Sequence, residues 1–281
     1  MINPDLHLHT NRSDGVLSPE LMAYECRQAG LTLMAVTDHD TFQGSDELMR
    51  EDTGIPLIPG VELSLKDFSS LHLLCYGIAE GRPLRQKVSE LAEKRRERAA
   101  KMLEKLSALG CPLSEQELRE RCHGTIGRPH IARAMVHRGY VSSMSEAFNR
   151  YLGHNRPAYV AGERLGMAEA LALVNEAGFV PVLAHPYELR LPQEQLFPLI
   201  QRWQAQGLKG IEVYHPSALS HGFDALDRFA RANGLLVTGG SDFHQENDRH
   251  GKIGSMAAHW REAESDIQAL MKALRKAAEG K

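Results

Sequence analysis

Nine side chains able to ligate a metal stand in short clusters along the chain: His7, His9, Asp14, His39, Glu62, His72, His185, Asp242 and His244. Six imidazoles and three carboxylates suffice for three divalent ions with three protein ligands each. His7 and His9 alternate with Leu6 and Leu8, so on a strand both imidazoles face the same side. A lone His-x-His pair is a modest signal, because two histidines hydrogen-bonded inside a fold look the same. Here the pattern recurs as Thr37-Asp38-His39-Asp40 after the next apolar run and as Asp242-Phe243-His244 late in the chain, while Asp14 follows in a glycine-containing turn. Glu62 closes an apolar run after Pro59-Gly60-Val61 and suits a carboxylate bridging two cations. His72 opens a strand-like run and is weak on its own; His185 precedes Pro186, which makes a strand-end ligand plausible. Mixed imidazole and carboxylate donors suit Mn²⁺, with Fe²⁺ or Zn²⁺ as alternatives, better than the oxygen-seeking Mg²⁺ or Ca²⁺. Such ions produce hydroxide from a shared water and neutralise phosphoryl oxygens, so the chemistry to expect is hydrolysis of a phosphate ester. No GxSxG, Walker A or GxGxxG pattern supports a serine hydrolase, nucleotide kinase or dinucleotide enzyme.

Ligands so scattered can meet only if the strands that carry them share one end. The chain reads as alternating strands and helices. Ser18-Pro19-Glu20 starts a helix that runs toward Gly30, with Ser18 as N-cap. Strands are predicted over about 31–37, 55–64 and 72–78, with a short helix over 44–51. Residues 83–109 read as one long charged helix with Val88, Leu91, Met102, Leu103 and Leu106 on its apolar side. From about 114 to 160 short helices and loops are expected, few of their residues being large and apolar. The alternation then resumes, with strands over 179–184, 210–214 and 235–240 and a terminal helix over 263–278. About seven strands in this order predict an α/β fold, a distorted TIM-like (β/α)7 barrel with its chemistry at the strand C-termini. One domain spanning residues 1–281 is expected, with a helical insertion at about 100–162 capping the barrel mouth.

A net charge of −3 argues against broad nucleic-acid coating, though not against a local basic groove. Cys26, Cys75, Cys111 and Cys122 form no CxxC pair and read as buried free thiols in a reducing compartment. The first residues lack a signal-peptide pattern and no apolar run approaches membrane-spanning length, so a cytoplasmic protein is expected.

Asp5-Leu-His-Leu-His-Thr10 with Ser13-Asp-Gly15, Thr37-Asp-His-Asp40, Gly60-Val-Glu62, Ala184-His-Pro186 and Gly240-Ser-Asp-Phe-His244 together resemble the PHP (polymerase and histidinol phosphatase) superfamily. Ile126 to Ala132 and Tyr151 to Val160 are similar to its TrpH/YciV-like group of nucleoside 3′,5′-bisphosphate phosphatases and 5′-to-3′ exoribonucleases of the RNase AM type. The resemblance implies a trinuclear centre in which His7, His9, Glu62 and Asp242 hold one metal. Glu62, His72 and His185 would hold the second, and Asp14, His39 and His244 the third. It also implies a metal-bridging hydroxide as nucleophile, with Asp14 and Glu62 indispensable to catalysis.

Arg128 and Arg156, in Gly/Pro-bearing loops of the insertion, are the expected phosphate contacts, since guanidinium matches phosphate oxygens with paired donors. His130 reads as a phosphate contact or a proton donor to the leaving oxygen, or as a helix-capping histidine. His215 is a candidate substrate contact. Asp38 and Asp40 are expected to orient imidazoles or shape their turn. The charges between Lys94 and Lys105 read as a solvated helix face, with guidance of an RNA strand as the functional alternative. The expected substrate is a 3′,5′-bisphosphonucleotide or the 5′-phosphorylated end of a short RNA, acted on by a monomer with no obligate protein partner. Two rivals share the motifs: a histidinol-phosphate phosphatase, and a metal-dependent nucleic-acid binding module without turnover.

Overall fold

The apolar runs form seven strands that hydrogen bond in chain order: β1 (Pro4–Leu8), β2 (Leu33–Val36), β3 (Leu57–Ser64), β4 (His72–Tyr76), β5 (Val180–Leu183), β6 (Gly210–Tyr214) and β7 (Leu236–Gly239). They come from a computed structural model that describes residues 2–78, 80–119, 124, 126–246 and 251–280. The sheet curls on itself until its ends meet. Beyond β7, Asp242 donates its amide to the His7 carbonyl at 2.9 Å and His9 donates to Phe243 at 3.1 Å. The approach is close enough that a Cβ on Gly240 would stand 2.4 Å from the Cβ of His7, so only glycine fits there. Inside, the Tyr76 hydroxyl donates to the Leu6 carbonyl across the barrel at 2.8 Å. The result is the expected α/β barrel of TIM-like type.

One strand runs backwards. β4 pairs antiparallel with both β3 and β5, whereas every other neighbouring pair is parallel. The reversal follows from the tight β3–β4 connection, and Ser64 at the end of β3 pairs with His72 at the start of β4. His72 therefore lies at the same rim as the ends of the parallel strands, although it begins its own. The distortion delivers the ligand.

Among the described residues ten α-helices follow the predicted order: α1 (Pro19–Gln28), α2 (Gln43–Leu48), α3 (Arg82–Ala108), α4 (Glu115–Arg119), α5 (Arg128–His137), α6 (Met144–Ala147), α7 (Met167–Glu176), α8 (Gln193–Ala205), α9 (Asp224–Ala232) and α10 (Ala263–Glu279). Ser18 caps α1 by accepting from the Leu21 amide at 3.2 Å. α3 leaves the far end of β4 and climbs beside the barrel. Its Leu84, Val88 and Leu91 belong to the main core, but Ala99, Met102, Leu103 and Leu106 belong to a separate apolar cluster that extends to Ala158. The insertion was expected to hold few large apolar groups and so only a marginal core; Leu113, Leu118, Ile131, Met135 and Leu152 join those of α3 in a core of its own. Cys26, Cys75 and Cys111 are buried free thiols, and Cys122 lies outside the described residues. No helix among the described residues is long and apolar enough to cross a membrane.

Candidate metal centre and its cavity

Glu62 is fully buried at the end of β3, and both its oxygens are shared among imidazoles. Oε2 stands 3.2 Å from Nε2 of His7, 3.2 Å from Nε2 of His9 and 3.1 Å from Nδ1 of His39. Oε1 stands 3.0 Å from Nδ1 of His72 and 3.0 Å from Nε2 of His185. Asp242 Oδ1 lies 3.3 and 3.1 Å from the same His7 and His9 nitrogens, and His244 Nε2 meets Asp14 Oδ1 at 3.2 Å. These atoms cluster as His7–His9–Glu62–Asp242, His9–Asp14–His39–His244 and His39–Glu62–His72, each set within 4.8 Å. His7 Nε2, His9 Nε2, His39 Nδ1, Asp14 Oδ1 and Glu62 Oε2 are buried with no hydrogen bond. Each such orphan costs on the order of 1–3 kcal/mol unless something else satisfies it. Donor atoms turned inward on common points, without hydrogen-bond geometry, fit divalent cations.

Electrostatics agree. Burial opposes charge on His7 and His9, yet the surrounding carboxylates hold both imidazoles above their ordinary range, His9 at about 10. Burial likewise opposes ionisation of Glu62 and Asp14, but neighbouring histidines keep both well below the usual carboxylate range. The acids stay ionised, and the positive charge they demand is what a metal supplies in place of protons.

Behind the ligands stands a buried layer that fixes their direction. Glu212, on β6, accepts from His7 Nδ1 at 3.0 Å and from the His185 amide at 2.8 Å. With its proton on Nδ1, His7 presents the Nε2 lone pair to Glu62 and Asp242. Asp38 takes the amide and hydroxyl of Thr10, each at 2.7 Å, and the Ser13 hydroxyl at 2.6 Å, tying down the turn that leads to Asp14. Asp40 accepts from the Ser64 amide at 2.8 Å, donates its own amide to the Glu62 carbonyl at 2.8 Å, and pairs with Arg95 of α3. Asp40, His185 and Asp242 all have positive φ, a conformation worth about 1–3 kcal/mol of strain each outside glycine. The rim is held, not relaxed.

The candidate ligands open into a cavity of about 970 Å³ between barrel and insertion, with Asp14, His39, His72, His185, Asp242 and His244 at one end. Arg95, Arg98, Arg128, Arg133 and Arg164 line its other side. Arg95 and Arg98 continue the inward stripe of α3, falling at the helical spacing of Val88, Leu91 and Met102. Arg128 opens α5 and lies over the rings of Phe148 (5.6 Å) and Tyr159 (5.9 Å). Phe148 begins a π-turn over Phe148–Leu152. Arg133 donates to the Asp14 carbonyl at 3.0 Å, linking α5 to the turn that carries Asp14.

The family model described as the PHP domain matches residues 5–154. The chain belongs to the PHP family. A 5′-3′ exoribonuclease of Haemophilus influenzae is 32% identical over 85% of this PHP chain and 89% of its own length. A 3′,5′-nucleoside bisphosphate phosphatase of Chromobacterium violaceum is 32% identical over 95% of this chain and 98% of its own. A solved Bifidobacterium adolescentis protein, described as a candidate metal-dependent phosphoesterase, superposes with a TM-score of 0.82 at 29% identity, covering 97% of this chain and 96% of that one.

Eight of the nine expected ligands fall in these clusters, with His9, His39 and Glu62 each in two of them, and His185 joins through Glu62 Oε1 at 3.0 Å. Among the other expected site residues, Arg128 lines the cavity, and the rest are placed as follows. Arg156 is exposed and absent from the cavity wall; its amide donates to Gly153 and its carbonyl accepts from Tyr159, so its Gly/Pro surroundings serve a turn. His215 is buried behind Asp242 and off the cavity wall, with Nε2 3.3 Å from Asp242 Oδ2 and Nδ1 2.8 Å from the Ser217 hydroxyl. His130 accepts the Gly127 amide on Nδ1 at 2.9 Å and bonds the backbone of Ser13. Burial lowers it to about 4, so at neutral pH it is a neutral imidazole and not the imidazolium that a general acid needs. It caps α5. Asp38 and Asp40 shape turns and bond no imidazole among the described residues. Arg95 and Arg98 are not on the solvated face of α3 but inside. Glu212 went unnoticed, although an ionisable side chain inside Gly210–Tyr214 was its signature.

Proposed function

We propose that this chain is a metal-dependent phosphoesterase acting on nucleotide phosphate esters. It is a hydrolase that cleaves the 3′-phosphate of nucleoside 3′,5′-bisphosphates, the first ester of 5′-phosphorylated short RNA, or both. The observation that carries the reading is one cavity with a carboxylate shared by five imidazoles at one end and guanidinium groups at the other. Relatives covering nearly the whole chain and named for these two activities support the same substrate class.

His7, His9, Glu62 and Asp242 would hold one divalent ion, Glu62, His72 and His185 a second, and Asp14, His39 and His244 a third. Mn²⁺ suits the donor set best, with Fe²⁺ or Zn²⁺ as alternatives. Bound there, such ions supply an activated water and neutralise charge developing on the phosphoryl oxygens. The chain's own groups do the placing. Glu212 keeps the His7 proton on Nδ1, Asp38 and Arg133 fix the turn before and after Asp14, and Arg128 holds a second, non-scissile phosphate away from the rim. Glu62 and Asp14 stay ionised throughout.

The test is a substrate panel with purified, manganese-reconstituted protein: adenosine 3′,5′-bisphosphate, 5′-phosphorylated oligoribonucleotides and histidinol phosphate. Turnover of either of the first two is expected, and its loss in Glu62→Ala and Asp14→Ala with the circular dichroism spectrum unchanged. Preference for histidinol phosphate would overturn the substrate class. RNA binding with no release of phosphate or mononucleotide would overturn the enzymatic reading, as would wild-type turnover in either variant.

A further inference from the structure

Of the nine candidate ligands, Asp14 stands farthest in sequence from the strand that precedes it. It hangs on the turn from Thr10 to Gly15, closed by the Ser13 and Gly15 amides, which both donate to the Thr10 carbonyl at 3.0 Å. The barrel grips one side of this turn. Besides the contacts of Asp38, Arg12 donates to both carboxylate oxygens of Glu47 on α2, each at 2.8 Å. The insertion grips the other side, at three consecutive residues. Gly124 packs so closely on the Arg12 carbonyl that a Cβ there would collide with its oxygen. His130 of α5 is buried, takes the Gly127 amide on Nδ1 and so presents its Nε2 proton to the Ser13 backbone. Arg133, one turn further along α5, donates Nη1 to the Asp14 carbonyl at 3.0 Å. Among the described residues no carboxylate pairs with Arg133. The insertion has an apolar core apart from that of the barrel, so its docking on the turn is a step separable from barrel closure.

We propose that His130 and Arg133 are positioning residues that tie the candidate Asp14–His39–His244 metal site to docking of the insertion, so that the third ion and the docked insertion each strengthen the other. The inference rests on the three-ion reading of the rim and adds which of the three sites the insertion governs. His7, His9, His72 and His185 make their ion pairs with barrel carboxylates, above all Glu62, and Glu212 steadies His7 and His185 from β6. Those ligands owe their direction to the barrel, so the other two sites are indifferent to the insertion. Asp14 owes its direction to both, because the backbone on which it rides is bonded from both sides. Coupling of this kind is reciprocal: the affinity that docking lends to the ion, the ion lends to docking. The centre is then complete only when the insertion is docked.

Calorimetric titration of the metal-free full chain with Mn²⁺, together with hydrogen exchange, tests this without relying on turnover. Wild type is expected to bind three ions, one of them lost in Asp14→Ala. Arg133→Met should weaken that ion by about 10-fold or more and leave the other two within about two-fold, a charged hydrogen bond to the ligand's own backbone being removed. His130→Leu should act in the same direction. Arg133→Lys should recover part of the loss, because the ammonium still donates. Arg138→Met removes the same charge from the exposed C-terminal end of α5 and should match wild type. In wild type Mn²⁺ should slow exchange across α5, and in Asp14→Ala it should not. That comparison alters nothing in α5, so it decides the matter even where an α5 variant fails to fold. The proposal falls if Arg133→Met keeps all three affinities, if the three weaken alike, if Asp14→Ala loses no ion, or if α5 exchanges equally fast with and without Mn²⁺. Hydrolysis is read separately. Selective loss of the third ion in a protein that cleaves no bisphosphate would sink the proposed function and leave the link standing. Cleavage of bisphosphate by wild type, with the third ion untouched in Arg133→Met, would do the reverse.

Discussion

Replacing Glu212 by glutamine changes one atom in a side chain that never meets the cavity, and it should cripple metal binding. The carboxylate accepts two hydrogen bonds, from His7 Nδ1 and from the His185 amide, on two different oxygens. A glutamine offers one acceptor oxygen and an NH₂ group that can only donate. If the oxygen faces the His185 amide, the NH₂ faces His7 and forces Nδ1 to become the acceptor. The imidazole proton then sits on Nε2, the atom 3.2 Å from Glu62 and 3.3 Å from Asp242. If the oxygen faces His7 instead, a buried amide at His185 is left opposite a donor. Either way a ligand is lost or misdirected. Loss of such an outer partner typically weakens metal binding by about 10–100-fold, or roughly 1.4–2.7 kcal/mol. The assay is calorimetric titration of metal-free protein with Mn²⁺, alongside activity measured against Mn²⁺ concentration. Activity should recover substantially at saturating manganese. An affinity within about two-fold of wild type would refute the tautomer argument, since a loss of at least ten-fold is required by it.

Other outcomes follow from the same contacts. Arg95→Met leaves the Asp40 carboxylate without its partner beside the rim; unfolding in urea should show a loss of about 3 kcal/mol, and turnover should fall with it. Asp266 accepts from both Arg231 and the Trp260 indole, so Asp266→Ala should cost about 2–3 kcal/mol in the same measurement while leaving kcat and KM unchanged. Leu106→Ala opens a hole in the insertion's cluster, worth about 2–5 kcal/mol; hydrogen exchange should quicken within 99–158 and stay slow in β1 to β7. Saturating Mn²⁺ at about 100 times its dissociation constant should stabilise the fold by roughly 2.7 kcal/mol, seen as a higher melting temperature, and a melting curve indifferent to manganese would contradict the ligand geometry.

Much of this was legible because the metal rim is built from residues that strands announce. The nine ligands sit at apolar-run boundaries, and parallel strands that share a rim bring boundaries together whatever their separation in the chain. His72 looked weak because its strand seemed to start where others end; the reversed β4 resolves that, and the short connection after Ser64 was the available clue. Glu212 was missed because a carboxylate inside an apolar strand disappears among its neighbours when only run boundaries are searched. Arg95 and Arg98 were hidden by the company of Lys94, Arg96 and Lys101: counted as charge, the segment is a solvated face, but counted by period, two arginines occupy core positions of the stripe. Arg156 misled in the opposite way, since glycine and proline around a charge mark a turn as readily as a binding loop.

The long helix α3 has one further consequence. Its early turns are bolted to the barrel and its later turns to the insertion, so a single rod of about 40 Å sets the gap between hydrolytic rim and guanidinium wall. Adding one residue ahead of Arg95 would swing its side chain by roughly 100° and lift it by about 1.5 Å, with every barrel ligand undisturbed. No insertion there keeps both angle and height. The reach of the pocket is thus locked by helical geometry, and substrates with a different spacing between their phosphates demand a different rod.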